Sequence, residues 1–544
     1  MFCPKCGAEN AEGINFCASC GAGLNATTEA PVVEPAPAEF VNPAPDFPMP
    51  EPEATEKKES PVAGILEKVK PLLQKYKLFA IGALGIVALI LCISVLASLF
   101  SGNGFSAVKH SIMAMVDNDE VCVLYDAKKV KSTGLEATGI RSQRQSIDGT
   151  VLVLLTKEGD LAFVKGTKLT KIADEVSDFV ISADGTGVAY TVNEDGDTKL
   201  YLYNVKTKKA NVVTSKMYGS SYCLSPNGDS IAYFEKKEGD EEAKLMLFKG
   251  KKSTKITSAS VTLLGLSDNG KYIYVIGKND DNASVLYSYN KKGDRDKLGA
   301  ISGSRVMFNE DHTQILFYSD GKSYISTKGK EAVKISSSQA QPILPNSCEN
   351  FSDGITYTVP TDNLFNKVYS CDGNIWYIRK NTDKSVKLAN DASSVTLSED
   401  AKYVYYVNKG ELKVLKVSHG DNASDKAKVL AEDISNYVVT SDCKKVYYVS
   451  DGSLYAVNGK TGKGKKTVAN EDVAASLAIN AKDVVYYYMD GDVYASKNGS
   501  KGKKVVSDAV YFETTANGIV YVSTEDTLFA TKGAKKPAKI YTKD

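Results

Sequence analysis

Arginine is scarce in this chain of 544 residues, and its scarcity limits the partners that the chain can recognise. Only five of the 67 basic residues are arginines, and they are scattered as Arg141, Arg144, Arg295, Arg305 and Arg379. Arginine supplies the bidentate contacts through which proteins commonly recognise phosphate groups. The 66 acidic residues nearly balance the basic ones, so the many lysines predict an ordinary solvated surface. We therefore expect no nucleic acid as a partner.

Histidine and the motifs of hydrolases are also lacking. The three histidines, His110, His312 and His419, occur at no spacing typical of metal ligands or of a general base. We interpret them as surface or turn residues. No Gly-x-Ser-x-Gly motif occurs, and no α/β segment follows the repeats described below. The sequence therefore predicts a protein that is not an enzyme.

Cysteine is unevenly distributed, which indicates two chemical environments. Four of the ten cysteines lie within the first twenty residues, as Cys3-Pro-Lys-Cys6-Gly and Cys17-Ala-Ser-Cys20-Gly. Each Cys-x-x-Cys turn directs two thiolates toward one point, and four thiolates complete a tetrahedral shell around Zn²⁺ with no open position for water. Cys3, Cys6, Cys17 and Cys20 are therefore the predicted ligands of a structural zinc ion. Two disulfides or a redox pair are the alternative, but no βαβ pattern surrounds either pair.

The spacing of these cysteines also resembles that of a known kind of domain. Residues 2–24 resemble the short zinc ribbons found at the N-termini of many bacterial membrane proteins. The resemblance implies that residues 1–24 form a cytoplasmic module that contacts another protein. A module this small has almost no core, so metal binding would supply most of its folding free energy, typically ~10–16 kcal/mol.

A long apolar run lies between this module and the rest of the chain. Residues 25–60 are rich in Pro, Ala and Glu and predict a disordered linker, and residues 61–77 predict a basic amphipathic segment on the inner leaflet. Residues 78–100 contain no charge over 23 residues. As a helix they would span about 34 Å, enough to cross a membrane. A buried core helix or a cleaved signal peptide fits this run less well, because it is apolar all round and begins far from the N-terminus.

Charges flanking the apolar run predict its orientation. Six lysines precede it, within residues 57–77, whereas the first basic residue after it is Lys109. Because positively charged flanks remain in the cytoplasm, we expect a single-pass protein of the cell membrane with a cytoplasmic N-terminus and an extracytoplasmic C-terminal part. Free thiolates for zinc agree with a reducing compartment at the N-terminal end.

The C-terminal part is repetitive. Residues 101–145 predict a connector that could include the first strands, and residues 146–544 repeat a unit near 40 residues long in which a polar turn precedes a strand rich in Val, Ile and Tyr. The turns fall at Asp148-Gly149, Asp184-Gly185, Asn227-Gly228, Asn269-Gly270, Glu310-Asp311, Asp353-Gly354, Glu399-Asp400, Asp442-Cys443, Ala481-Lys482 and Asn517-Gly518. This period, without helical segments, predicts an all-β domain of about ten propeller blades. One large ring, two rings or an incomplete ring all fit the pattern.

Within the repeats, consecutive strands form hairpin pairs. Residues 187–190 are followed by 200–203, and residues 446–449 by 454–457, each pair with alternating side chains. Ser225-Pro226-Asn227-Gly228 followed by Ile231-Ala-Tyr233 resembles the bacterial propeller repeats of the TolB and WD40-like kind. Most other units lack the proline, and the Gly-His and Trp-Asp signatures of WD40 repeats are absent. The resemblance implies a propeller-like domain in which tyrosines pack between the blades.

Smaller motifs in the repeats are interpreted as structural. Residues 459–466 imitate a phosphate-binding loop, but they end in Lys and connect two predicted strands. The acidic residues 194–197 are the expected tip of a hairpin rather than a Ca²⁺ site. Cys348 and Cys371 lie within one long repeat and could form an extracytoplasmic disulfide.

Together these patterns predict a membrane-anchored binding or sensing protein. The repeats would recognise an extracytoplasmic ligand or an envelope protein, and the zinc ribbon would contact a cytoplasmic protein. The first alternative is an extracytoplasmic carbohydrate- or peptide-active enzyme whose acids converge from different blades, and the second is a scaffold. The sequence determines neither the ligand, the number of blades nor the oligomeric state.

Overall fold

The computed structural model describes residues 104–354, 356–379, 385–417 and 423–543. These residues form 44 β-strands and two 3-10 helices, Asp268–Gly270 and Ala423–Lys426. Within these ranges no helix is long and apolar enough to cross a membrane. The predicted zinc ligands Cys3, Cys6, Cys17 and Cys20 and the predicted transmembrane segment 78–100 lie outside the described residues, as do the linker and the amphipathic segment.

The strands form small antiparallel sheets that follow one another along the chain, here called units. Unit 1 comprises β1 (Ile112–Asp117), β2 (Glu120–Tyr125) and β3 (Lys131–Glu136); unit 2 comprises β4 (Ile140–Gln145), β5 (Val151–Thr156), β6 (Leu161–Lys165) and β7 (Lys168–Ala173). Units 3 and 4 share one long strand and comprise β8 (Val176–Ile181), β9 (Gly187–Glu194), β10 (Asp197–Asn204), β11 (Lys209–Leu224), β12 (Ser230–Glu235), β13 (Lys244–Lys249) and β14 (Lys252–Thr257). Unit 5 comprises β15 (Thr262–Leu266), β16 (Ile273–Lys278), β17 (Ser284–Tyr289) and β18 (Arg295–Ala300).

The next two units are interrupted by an inserted segment. Unit 6 comprises β19 (Val306–Phe308), β20 (Gln314–Ser319), β21 (Lys322–Thr327) and β22 (Val333–Ser336). Unit 7 begins with β23 (Gln341–Pro342), and the inserted hairpin β24 (Phe351–Ser352) and β25 (Tyr357–Thr358) follows before β26 (Lys367–Cys371), β27 (Asn374–Ile378) and β28 (Val386–Ala389) complete it. The hairpin joins the sheet of unit 6, because β25 pairs parallel with β19.

Four regular units of four strands complete the described chain. They comprise β29 (Ser393–Leu397), β30 (Tyr403–Asn408), β31 (Glu411–Lys416) and β32 (Lys428–Ala431) in unit 8; β33 (Asn436–Val439), β34 (Lys445–Ser450), β35 (Ser453–Asn458) and β36 (Lys466–Ala469) in unit 9; β37 (Val473–Ile479), β38 (Val484–Met489), β39 (Asp492–Lys497) and β40 (Lys503–Val506) in unit 10; and β41 (Tyr511–Thr514), β42 (Val520–Ser523), β43 (Thr527–Thr531) and β44 (Ala538–Thr542) in unit 11.

Neighbouring units pack against each other through apolar clusters, as blades of a propeller do. Val123 of unit 1 and Leu154 of unit 2, for example, belong to one cluster, and a corresponding cluster joins every later pair of consecutive units. A final cluster contains Leu124 of unit 1 and Ile540 of unit 11. The last unit therefore packs on the first, and the described units form a closed circuit.

Eleven units, rather than about ten, occur in the described residues when the seven-stranded sheet is counted as two. Unit 1 lies within residues 112–136, for which the sequence predicted a connector with possible strands. The predicted turn Asp353-Gly354 does not belong to a unit, because it lies in the inserted hairpin between β24 and β25. The predicted hairpins of residues 187–203 and 446–457 are confirmed as β9 with β10 and β34 with β35.

Each of the other nine predicted turns joins the first and second strands of its unit, and we call it the first turn. In unit 3, Ser182 Oγ donates to Asp184 at 2.7 Å, and the backbone N–H of Gly187 donates to Ser182 Oγ at 2.9 Å. Successive first turns also contact each other, as when Ile147 N–H donates to the carbonyl of Ala183 at 2.7 Å. The first turns therefore lie next to one another around one face of the described part.

Many tyrosines are buried in the strands with their hydroxyl groups bonded to the backbone, as predicted. Tyr274 donates to the carbonyl of His312 at 2.9 Å, and Tyr369 donates to that of Leu364 at 2.6 Å. Both side chains are fully buried. A buried ring with a satisfied hydroxyl stabilises the interface without leaving a polar atom unpaired.

Candidate functional site

Two adjoining cavities open beside the first strands and first turns. The larger, of about 580 Å³, is lined by first strands and turns of units 8 to 11. The smaller, of about 470 Å³, is lined by units 1, 2 and 11. Both are also lined by Val108, Glu349, Thr515, Ala516 and Asn517. The two cavities therefore adjoin each other, and together we call them the cleft.

Two segments outside the regular units cross this face and form part of the cleft wall. The segment that begins at Phe105 is tied to the inserted segment, because Ser106 N–H donates to the carbonyl of Pro360 at 2.7 Å and Val108 N–H to that of Ser347 at 2.8 Å. Pro345 also forms a parallel bridge with Leu397, at the end of β29. Residues distant in sequence are thereby fixed against the same first strands.

The second residue of the first turn projects into the larger cavity in four consecutive units. These residues are Glu399, Ser441, Ala481 and Ala516. The first and third positions of such a turn hold its internal hydrogen bonds, as when Ser398 Oγ donates to Asp400 at 2.8 Å. The second position has no part in that pattern, so its side chain can face the cavity.

The larger cavity is acidic. Glu349, Glu399 and Asp483 line it, and its lining contains no Lys, Arg or His. Asp483 is held in place because it accepts hydrogen bonds from Ser441 N–H at 2.7 Å and from Ser441 Oγ at 2.9 Å. Carboxylates of one sign in a concave surface raise the local concentration of positively charged groups.

His110 lies in the wall of the smaller cavity. Its Nδ1 is 2.9 Å from the Tyr125 hydroxyl and 3.1 Å from Asp126 Oδ2, and its ring stacks on that of Tyr125. Asp126 also accepts hydrogen bonds from Ser111 N–H at 3.1 Å and from the Asn517 side chain at 3.0 Å. The imidazole is therefore half-buried and fixed where units 1 and 11 meet, rather than a free surface group.

Arg144 also lines the smaller cavity. Its Nη1 donates to the carbonyl of Phe179 at 3.0 Å and to that of Asp353 at 2.5 Å. These bonds fasten the inserted hairpin to units 2 and 3. The guanidinium group is directed at backbone carbonyls, so we assign it a structural role.

The remaining histidines lie elsewhere. His312 is a turn residue as predicted, but it is buried rather than at the surface, with Nδ1 3.0 Å from the Leu266 carbonyl and Nε2 2.7 Å from Thr358 Oγ1. Burial lowers the pKa of His312 to about 4, so the ring is neutral at physiological pH. His419 lies outside the described residues.

The structure also shows the surroundings of three other motifs for which the sequence suggested a function. Cys348 and Cys371 are both free and buried, so the proposed disulfide is not formed, and burial raises the pKa of the Cys348 thiol to about 11. Residues 459–466 join β35 to β36 without a following helix, so the predicted connection between two strands is confirmed. Residues 194–197 form the tip between β9 and β10, where Asp197 pairs with Lys216 at 2.7 Å. Across the described ranges, no group of three or more His, Cys, Asp or Glu side chains is arranged to hold a metal ion.

Comparisons with known proteins identify one domain. Residues 2–24 match the zinc-ribbon domain family. The chain therefore contains a zinc-ribbon domain, as its cysteine spacing predicted. No curated protein matches the chain in sequence.

Several solved structures are similar to the β domain at low identity. One is a eukaryotic initiation factor, with 12% identity, a TM-score of 0.36, and coverage of 66% of this chain and 97% of that chain. Another is putative TolB from Agrobacterium tumefaciens, with 16% identity, a TM-score of 0.27, and coverage of 42% and 89%. A third is PorZ, a surface component of the type-IX secretion system of Porphyromonas gingivalis, with 12% identity, a TM-score of 0.26, and coverage of 80% and 74%. At these TM-scores we draw no functional conclusion from the similarities.

Proposed function

We propose that this protein is a membrane-anchored binding protein whose cleft holds an extracytoplasmic ligand or a segment of a partner protein. The observation that carries the proposal is the cleft, in which cavities of about 580 and 470 Å³ lie side by side and share five lining residues. Binding sites are usually preformed and concave, with a few polar groups placed among apolar ones. The cleft has this composition, because Glu399 and Asp483 stand among Val439, Leu477 and Ile479.

The N-terminal part supplies the proposed anchor and a cytoplasmic contact. The four thiols of Cys3, Cys6, Cys17 and Cys20 are the donor set that a structural Zn²⁺ requires, and the zinc-ribbon match covers all four. Residues 78–100 are the proposed transmembrane helix, with the ribbon on the cytoplasmic side. Bound zinc would supply folding free energy to the ribbon rather than catalysis.

An extracytoplasmic enzyme is the second candidate, and His110 is the observation that favours it. A histidine oriented by a carboxylate, as His110 is by Asp126, is a common general base. We favour binding because the Tyr125 hydroxyl also lies 2.9 Å from the same ring nitrogen and because Asp483, the best-oriented acid of the cleft, is already engaged by Ser441. Replacing His110 with Gln tests the enzyme directly, since turnover of a glycan or peptide that disappears in this variant would establish catalysis.

Blocking the cleft tests the binding proposal. Ala516 lines both cavities, so the large indole ring of Ala516→Trp would fill space that a ligand needs. The matched control is Ala210→Trp, at an exposed position of β11 outside the cleft. Full-length protein in neutral detergent would be screened against glycan and peptide arrays. We expect ligands that bind the wild type and the control to lose at least tenfold in affinity for Ala516→Trp, since an indole excludes a ligand from a concave site.

Two results would contradict the proposal. The first is a ligand that binds Ala516→Trp as tightly as it binds the wild type. The second is a chain that retains its melting temperature but binds no member of either array. Melting curves of both Trp variants, recorded first, ensure that a loss of binding is not a loss of folding.

A further inference from the structure

A second concave surface lies between units 2 and 3, away from the cleft. It is a groove of about 530 Å³ whose lining includes four lysines, Lys165, Lys168, Lys206 and Lys208. We call it the lysine groove. Its floor is formed by buried residues of the interface between the two units, among them Phe163. None of its lining residues is shared with either cavity of the cleft.

The groove carries uncompensated positive charge. No ion pair involves any of its four lysines within the described ranges, and all four are exposed. Asp184 is its only acidic lining residue. That carboxylate accepts hydrogen bonds from Ser182 Oγ at 2.7 Å and from Thr186 N–H at 2.9 Å, so it is engaged by its own turn. The chain as a whole has a net charge of only +1, so this concentration of one sign is local.

Protection of sheet edges does not account for these lysines. Lysines on outer strands, such as Lys252 and Lys255 in β14, discourage pairing with other chains at an exposed edge. Lys206 and Lys208 instead lie in the turn between β10 and β11. Lys165 ends β6, which is paired on both sides. Three of the four lysines therefore stand where no open edge needs protection, and they surround a concavity instead.

We propose that the lysine groove binds an anionic polysaccharide, a linear sugar chain that carries carboxylate or phosphate groups. Lysine ammonium groups pair with either anion as point charges, and the hydroxyl of Thr170 in the wall can bond to sugar hydroxyls. Nucleic acid fits less well, because the groove contains no Arg and its one aromatic residue, Phe163, is only 4% exposed and offers no ring face to a base. A membrane surface fits less well, because the lysines surround a depression rather than a protruding apolar surface.

Charge removal in the groove tests this inference. The test variant carries Lys165→Gln, Lys168→Gln, Lys206→Gln and Lys208→Gln. The matched control carries Lys251→Gln, Lys252→Gln, Lys255→Gln and Lys291→Gln, which remove the same charge from exposed positions that line no described cavity. Full-length protein in neutral detergent would be titrated with alginate oligosaccharides, dextran phosphate and neutral dextran. The two anionic polymers distinguish carboxylate from phosphate as the recognised group.

We expect at least one anionic polymer to bind the wild type and dextran not to bind. The affinity should fall at least tenfold in the groove variant and less than about twofold in the control, and it should weaken between about 0.02 and 0.5 M salt as the charges are screened. Equal losses in the two variants would overturn the proposal, as would failure of both polymers to bind. Single-stranded DNA and anionic vesicles would be tested in the same way. If neither polymer binds, and one of these ligands binds the wild type and the control but not the groove variant, the groove belongs to another class of partner. Because Ala516→Trp leaves the groove intact, failure here is distinguishable from failure of the cleft proposal.

Discussion

A short polar pattern, a hydroxyl residue followed two positions later by Asp, recurs in the first turns of units 2, 3, 8 and 9. In unit 9, Thr440 Oγ1 donates to Asp442 at 2.9 Å, and Lys445 N–H donates to Thr440 Oγ1 at 3.0 Å. These bonds lie within six residues, so the local sequence determines them. The intervening residue takes no part in these bonds; in the cleft it is Glu399 or Ser441, and Ala481 and Ala516 occupy the equivalent positions of units 10 and 11.

The predicted zinc site depends on each of the four cysteines in the N-terminal module. We expect full-length protein purified under reducing conditions to contain about one zinc ion per chain, since four thiolates fill a tetrahedral site. Cys6→Ser should lose the metal, because three thiolates no longer close the shell. Cys348→Ser, which changes a buried cysteine of the β domain, should retain it. Elemental analysis by mass spectrometry measures both, and a Cys6→Ser chain with undiminished zinc would refute the assignment.

His312 makes stability depend on pH. Its pKa is about 4 in the folded protein and near 6.5 when the chain is unfolded, because burial disfavours the charged ring. Between these pH values the unfolded state binds more protons, so stability present above pH 6.5 is lost as the pH falls toward 4, by about 3 kcal/mol in total. His312→Asn, which suits the positive φ of 54°, should remove this dependence.

The measurement compares urea midpoints of the wild type and His312→Asn at pH 7.5 and 4.5. Asp268 acts in the opposite sense, because burial raises its pKa to about 6 and its contribution to stability grows as the pH falls through that value. Asp268 is present in both proteins, so its effect cancels in the comparison. Equal pH dependence in the two proteins would show that His312 is not the responsible group.

At the scale of elements, the antiparallel hairpins were predictable because the two strands of each hairpin are close in sequence. Tyr190 lies opposite Tyr201 and Tyr448 opposite Tyr455, as the alternation of apolar and polar residues indicated. The insertion in unit 7 was not predictable from the period, because Asp353-Gly354 occurs at nearly the expected spacing yet belongs to a hairpin that pairs with unit 6. A turn sequence specifies a reversal of the chain but not the sheet that its strands join.

Contacts between neighbouring first turns depend on glycine where two backbones approach. Gly228 has φ 66°, and a Cβ there would lie 2.6 Å from Gly187 N. Gly219 has nearly the same φ, 69°, with no atom within 4 Å of the corresponding Cβ. Gly219→Ala should therefore destabilise by only about 1 kcal/mol, from the backbone conformation. Gly228→Ala should cost about 1 to 3 kcal/mol more, because the adjacent backbone must shift.

Denaturant unfolding of both glycine variants measures this difference. Both variants carry the same backbone penalty. The additional loss of unfolding free energy in Gly228→Ala therefore measures the cost of the close contact between the turn and β9. Equal destabilisation of the two variants would mean that the turn of unit 4 and the start of β9 do not pack as described.

At the scale of the whole molecule, the proposed topology separates the zinc ribbon from the β domain across a membrane. All five cysteines in the described ranges are buried, so a membrane-impermeant maleimide should react little with them. Lys463→Cys places a thiol at an exposed position of the repeats. We expect this thiol to be labelled on intact cells, whereas a thiol introduced by Ala30→Cys in the linker should be labelled only after permeabilisation.

The reverse labelling pattern would show that the orientation is inverted. Labelling of both thiols only after permeabilisation would place the entire chain inside the cell. Recovery of the chain in the soluble fraction after cell lysis would exclude the membrane anchor itself, because a helix of 23 uncharged residues does not leave the bilayer without detergent.

The sequence by itself determined the features that depend on near neighbours: the zinc-ribbon spacing of four cysteines, the all-β repeats and the chemistry of the first turns. Only the tertiary structure decided how the circuit of units closes, where the inserted segment lies and which residues line the cleft. These features depend on contacts such as that of Ser106 Oγ with Glu310, 204 residues away at 3.0 Å. A repeated pattern encodes each unit in the same way, so it cannot specify which distant units meet or which side chains converge between them.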